Sequence, residues 1–264
     1  MNIQELYADP AEQPLDHLVA DGGYCGIFHT IGCIGDSLAS GEFESMDEKG
    51  MPGFHDMYEY SWGQCIARTT GAKVWNFSCG GMSARHFWES FGKECGCFVE
   101  ENICQAYIIA LGVNDQKSIE LGSVNDINDQ SLYHDVKDTF AGYYSRIMLR
   151  LKKWQPQARF FLMTMPRSED KTRDDYAARH AQLLHQFAEH FDYTYVLDFY
   201  RYAPVYDEEF RKHFYLGGHL NPMGYMLTAK MTMSYMDYII RHNMEDFAQV
   251  GFIGKPYHNC RAKW

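Results

Sequence analysis

The chain has 264 residues, of which 46 % are hydrophobic and 22 % charged, and its formal net charge is −11. That length suffices for one large α/β domain with a buried core, and that composition excludes bulk disorder. The acid excess argues against a general affinity for nucleic acid or anionic membrane, since both reward fields of Lys and Arg.

The opening stretch, "MNIQELYADPAEQPLDHLVADGG", has neither a basic start nor an apolar run, so it does not read as a secretory signal, and a cytoplasmic location is expected. No apolar run approaches the roughly 20 residues of a membrane span. The eight cysteines include a single Cys-x-Cys pair, Cys95 and Cys97, with no matching second pair. That spacing does not suit a structural metal site, and free, mostly buried thiols are expected.

Five short apolar runs follow in chain order: "GIFHTIGCIG" (26–35), "AKVWNFS" (72–78), "AYIIALG" (106–112), "ARFFLMTM" (158–165) and "TYVLDF" (194–199). Continuous apolar runs bounded by Gly, Asn or Pro suit parallel strands buried on both faces. Helical periodicity separates them. Val136, Phe140, Tyr144, Ile147, Leu151 and Trp154 form one stripe within 134–154, and further helices are expected over 174–191 and 221–242, the last with Pro222 in its first turn. Strands alternating with helices predict a single domain over 1–264 with a doubly wound, flavodoxin-like, five-stranded parallel sheet. Residues 1–25 read as an N-terminal extension and 245–264 as a C-terminal tail. Two long loops, 41–56 and 113–133, follow the first and third strands, at the edge where open α/β sheets bind ligands.

Four loop segments at that edge share one chemistry. Ser37 stands in "GDSLASG" after the first strand, Gly81 in "NFSCGGMS" after the second, Asn114 in "GVND" after the third, and His219 in "GGHLN" before the last helix. A serine hydroxyl needs a base to become a nucleophile, and a histidine supplies one near neutral pH. The oxyanion then formed needs donors, for which the backbone N–H of Ser37, the backbone N–H of Gly81 and the side-chain amide of Asn114 are candidates. Each segment alone has a plainer reading: a turn, a cap or a surface histidine. His55, Arg85, His86 and the aromatics Tyr58, Tyr60, Trp62 and Trp88 lie in segments near the same edge. They suit the cleft or the core equally. Asp36 reads as a turn-former, and Asp115 as a brace for its own loop.

Together "IGDSLASG", "NFSCGGMS", "ALGVND" and "GGHLNPMGY" resemble the Ser, Gly, Asn and His blocks of the SGNH/GDSL hydrolase family, in family order. The resemblance implies a three-layer α/β/α sandwich and ester hydrolysis, often deacylation of carbohydrates or lipids, with no metal or cofactor. It assigns Ser37 as nucleophile, His219 as base, and Ser37, Gly81 and Asn114 to the oxyanion hole. The expected substrate is a small-molecule or carbohydrate ester, such as an O-acetylated sugar. The family places an aspartate three residues before the histidine, where this chain has Leu216. The backbone carbonyl of Leu216 is the favoured orienter of the ring, giving a Ser-His dyad, with Asp198, Asp207, Glu208 and Glu209 as carboxylate alternatives. An acyltransferase using the same site, and a non-catalytic binding protein that keeps the fold, stay open beside the hydrolase.

Overall fold

The computed structural model describes residues 9–129, 131 and 134–255. Five strands form one parallel sheet: β1 (Thr30–Gly35), β4 (Lys73–Ser78), β5 (Ala106–Ala110), β6 (Arg159–Met163) and β7 (Thr194–Leu197), in the order β4-β1-β5-β6-β7. A second, two-stranded sheet pairs β2 (Glu42–Met46) with β3 (Pro52–Asp56), and a third pairs β8 (Tyr215–Leu216) with β9 (His219–Leu220). Each apolar run of the sequence holds one central strand. The beginning of the first run is instead a short 3-10 turn, Gly23–Ile27.

Side chains alternate across the sheet as the two-residue period of a strand requires. Ile31, Cys33, Ile108 and Phe161 face a core completed by the helices Trp62–Thr70 and Pro222–His242. Ile34, Ile109, Phe160 and Leu162 face the other core, under the helices Phe140–Trp154 and Lys171–His190. The result is a three-layer α/β/α sandwich. Among the described residues no helix is long and apolar enough to cross a membrane. Seven cysteines are free thiols and most are buried, while Cys260 lies outside the described residues.

Two expected boundaries shift. The first long helix starts at Phe140 rather than near His134, because the Thr139 side chain accepts the Gly142 N–H as N-cap and Asp135 adopts a left-handed φ of 55°. The next begins at Lys171, where the Asp170 carboxylate accepts the Arg173 N–H at 2.8 Å.

The segment 41–56 is the larger departure. It is a β-hairpin and not an irregular loop. Its turn closes on Asp47, whose carboxylate accepts the N–H groups of Lys49 and Met51, with Gly50 at φ 77°. Its base is held by the Ser40 hydroxyl on Asp56 (2.6 Å) and the Tyr225 hydroxyl on the Glu42 carbonyl (2.6 Å). Phe43 turns inward onto Tyr60 and Tyr225, so Glu42 and Glu44 point to the opposite face.

The chain runs from β1 outward to β4 and then returns past β1 to β5. Strand order therefore reverses between β1 and β5, and ligand crevices of such sheets open outside the carboxyl ends at that reversal. Gly35 pairs with both Ser78 and Ala110, so three strands end side by side. The Ser37, Gly81 and Asn114 loops leave from that one line.

Candidate active site

Ser37 opens the one-turn helix Ser37–Ser40. The Asp36 carboxylate caps it by accepting the Leu38 N–H at 3.0 Å. Gly35 permits the sharp strand-to-helix turn, since a Cβ there would meet the Cβ of Ala39 at 2.5 Å. Asp36 is buried, and burial pushes its carboxyl up to about 7 against the opposing pull of the Leu38 N–H.

Ser37, Asn114 and His219 line one cleft of about 290 Å³, whose wall also includes Arg167, Arg173, Arg211, Tyr206 and Tyr215. Asn114 follows β5, and its side-chain amide donates to the Met82 carbonyl at 3.0 Å. That bond ties the third loop to the second. A side-chain amide carries two N–H donors, so one remains for other use. Gly81 is not in the cleft wall; it sits one residue before Met82 at φ 71°, in a turn closed by the Met82 N–H on the Cys79 carbonyl. Asp115 does more than brace its own loop. Its carboxylate accepts the Ala84 N–H at 3.0 Å, and burial raises it to about 6.

His219 lies on β9, just beyond a Gly217–Gly218 turn. Its ring is held between two carboxylates of the hairpin: Nδ1 is 2.8 Å from Oε1 of Glu44, and Nε2 is 3.0 Å from Oε1 of Glu42. Phe54, also on the hairpin, packs edge-on against the ring at 6.0 Å. The two glycines make room for Glu44, because a Cβ at either would run into its carboxylate. Environment separates the two acids. The Gly218 N–H holds Glu44 below the usual carboxylate range, with the histidine adding to it. Burial pushes Glu42 up, and the histidine only partly offsets this.

The expected orienter is therefore replaced. Leu216 lies opposite His219 in the β8–β9 ladder with its side chain exposed, and Nδ1 is paired with Glu44 instead of the Leu216 carbonyl. The carboxylate alternatives are engaged elsewhere. Asp198 caps the helix Phe199–Tyr202 and pairs with Nε2 of His185 at 2.8 Å. Asp207 caps the helix Glu208–Phe214 through the Phe210 N–H, and Glu208 and Glu209 are exposed in its first turn.

The other candidates of that edge lie off the cleft wall. Trp62 is in the core, the Tyr58 hydroxyl donates to the Val74 carbonyl, and Trp88 packs on Phe98. Arg85 pairs with Glu89 and Asp138, and His55 with the Ser45 hydroxyl. The aromatics that reach the cleft are Tyr206 and Tyr215, from a segment with no strong periodicity. The sequence signal for Glu44 is short: only Glu42, Phe43 and Glu44 alternate acid and apolar, and Ser45 and Met46 break the period of two that would mark a strand with one buried face.

Adjoining the cleft is a smaller apolar cavity of about 60 Å³, which shares Leu38, Val113 and Met165 with it and continues to Trp62 and Phe199. Among the described residues no cluster of three or more His, Cys, Asp or Glu side chains is arranged to hold a metal ion.

In architecture the chain is similar to a family two carbohydrate esterase from Clostridium thermocellum solved with cellohexaose (TM-score 0.54, 14 % identity, covering 83 % of this chain and 65 % of that one). It is similar as well to a family 3 carbohydrate esterase of the same organism (TM-score 0.52, 13 % identity, 81 % and 97 %). A third similar structure is the acetyl xylan esterase AlAXEase (TM-score 0.51, 14 % identity, 78 % and 98 %). No curated protein sequence matches the chain. The family model for GDSL-like lipases and acylhydrolases matches residues 33–227. That span runs from Cys33 inside β1 to Leu227 in the last long helix and takes in the hairpin and every loop of the cleft, so the chain belongs to the GDSL-like lipase/acylhydrolase family.

Proposed function

We propose that this protein is a serine esterase that removes a short acyl group, of acetyl size, from a carbohydrate ester, using Ser37, His219 and Glu44. The observation that carries the reading is the pairing of His219 Nδ1 with the Glu44 carboxylate beside a cleft that also holds Ser37 and Asn114. A carboxylate at Nδ1 keeps the proton there, leaves Nε2 as the basic nitrogen, and supports the imidazolium that forms during reaction.

Ser37 Oγ attacks the ester carbonyl carbon while its proton passes to His219 Nε2. The carbonyl oxygen becomes an oxyanion, met by the N–H of Ser37 and the free amide N–H of Asn114. The bond to the alcohol oxygen breaks as Nε2 returns the proton to that oxygen. Water, deprotonated by the same nitrogen, then attacks the acyl-serine and releases the acid. The small apolar cavity adjoining the cleft supports a short acyl chain. It is lined by Leu38, Val113, Met165 and Phe199, which suit an apolar acyl end. The carbohydrate half rests on the similarity to carbohydrate esterases and on Tyr206 and Tyr215 in the cleft wall.

The test is a fluorophosphonate probe together with a 4-nitrophenyl ester panel from acetate to octanoate. The wild type should label and should favour acetate, and Ser37→Ala should neither label nor turn over above about 10⁻⁴ of the wild-type rate. An unlabelled wild type, or a labelled Ser37→Ala with retained activity, overturns the assignment.

A further inference from the structure

The cleft wall carries more positive charge than a chain of net charge −11 leads one to expect. Arg167, Arg173 and Arg211 all line it, against one lining carboxylate, Asp36, which burial raises to about 7. Arg167 is half committed: its guanidinium stands 3.4 Å from Asp174. Arg173 and Arg211 are in no ion pair with a carboxylate among the described residues. Arg211 lies over the ring of Tyr215 at 4.7 Å, a contact that holds the guanidinium at the ring without neutralising it. Both Arg211 and Arg173 stand close enough to the Tyr215 phenol to pull against the upward push of its burial. Two guanidiniums with no carboxylate partner among the described residues therefore line one concave site, both near a half-buried tyrosine.

From this convergence we infer that the cleft selects esters whose alcohol part carries an anionic group, and that Arg173 and Arg211 are the specificity-determining residues that receive it. The inference deepens the esterase reading above and rests on it. A guanidinium presents a planar fork of N–H donors that matches an oxyanion, and it keeps its charge at every working pH. Held in a concave wall, such charges also concentrate anionic substrates near the site. Glu42 and Glu44 stand at His219 and are not in the cleft lining, so acid gathers at the histidine while the lining itself carries the arginines. A substrate aligns with its anionic group at the arginines and its acyl carbonyl at Ser37. An acidic sugar bearing an acyl ester, charged through either a carboxylate or a sulfate, has the required chemistry.

The experiment compares an O-acetylated methyl uronoside with a free carboxylate, the same compound as its uncharged methyl ester, and an O-acetylated, O-sulfated neutral glycoside. For the wild type, kcat/KM should favour the free acid over its methyl ester by about tenfold or more, the worth of one charge-assisted hydrogen bond. The preference should shrink as salt rises, since salt screens the long-range attraction that concentrates anionic substrate at the cleft. The ratio of acid to methyl ester should fall to near one in the double variant Arg173→Gln/Arg211→Gln and recover in part in Arg173→Lys/Arg211→Lys. A variant that merely disturbs packing lowers both rates and leaves the ratio alone. The sulfated arm shows which anion fits better, and a preference for either over the uncharged ester supports the proposal. Equal handling of all three by the wild type, or a ratio that the double Gln variant leaves unchanged, overturns it. Calorimetry with the deacetylated uronoside and its methyl ester separates this proposal from the esterase reading, because it needs no turnover. If fluorophosphonate labelling fails but the uronoside still binds about tenfold tighter than its methyl ester, the anion site stands and the chemistry was misread. Labelling and turnover with equal binding of acid and ester sink the anion site alone.

Discussion

Glu44 and His219 lie 175 residues apart in sequence, yet their side chains meet at 2.8 Å, Oε1 to Nδ1, where the β2–β3 hairpin leans on the β8–β9 turn. The carboxylate at Nδ1 comes from the hairpin that directly follows the helix Ser37–Ser40. Leu216, where the family aspartate is expected, lies exposed beside it. A carboxylate therefore stands at Nδ1 although position 216 holds leucine.

Glu44→Gln tests that relationship directly. The amide keeps the shape and removes the charge, and it can hold the ring in the wrong tautomer, so kcat should fall by up to about 10⁴ with an unchanged circular dichroism spectrum. A loss below about threefold in a folded variant would show that the imidazole does not depend on Glu44.

Glu42→Gln should act differently from Glu44→Gln. The Glu42 carboxylate stands 3.0 Å from His219 Nε2, the nitrogen that the proposed mechanism leaves to serve Ser37. Since Glu42 competes for that nitrogen and does not orient the ring from Nδ1, its replacement should keep kcat within about threefold of the wild type or raise it. A loss of more than about tenfold in a folded variant would contradict this role.

Met165→Ala addresses the acyl cavity. Met165 is buried and lines both the cleft and the small cavity adjoining it, so truncation should admit longer chains. The ratio of butyrate to acetate turnover should rise by about tenfold or more, in line with what a methylene or two contributes in an apolar pocket. An unchanged ratio would place the acyl group elsewhere.

His180 offers a prediction on stability. It is fully buried under β5, with Nε2 donating to the Leu111 carbonyl at 3.0 Å and Nδ1 without a partner, and burial lowers it to about 4. The unfolded histidine takes a proton as pH falls below its ordinary value near 6.5, whereas the folded one resists until about 4. The unfolded state thus binds more protons in that window, and stability falls with acidification there by up to about 1.4 kcal/mol per pH unit from this group. His180→Phe removes the dependence. Urea melts at pH 7 and pH 5 should show the wild type losing ground to the variant at the lower pH. A wild-type-minus-variant difference that is constant across the window would contradict the assignment.

How far the sequence reaches follows from the range of the interactions involved. Each central strand was legible because burial on both faces writes a continuous apolar run into a local stretch. Ser37, Asn114 and His219 were legible for a related reason: each follows a strand or precedes a helix within a few residues, and the topology alone brings those ends to one edge. The start of the helix at Phe140 was less so, because the Thr139 cap and the left-handed Asp135 compete with a stripe that reads on through Val136. The partner of His219, the arginine wall and the aromatics of the cleft came only from the tertiary structure. Which carboxylate reaches Nδ1 depends on the path of a hairpin held by Ser40, Asp56 and Tyr225, and on two glycines that leave room for Glu44. Arg173 and Arg211 stand on different helices, and Tyr215 meets both only after those helices pack. The sequence by itself determined the sheet, its layers and the residues at its carboxyl edge, since periodicity and turn chemistry act between near neighbours. The tertiary structure decided which distant side chains meet around His219, since that choice is made by packing between elements whose separation along the chain carries no information about their distance in space.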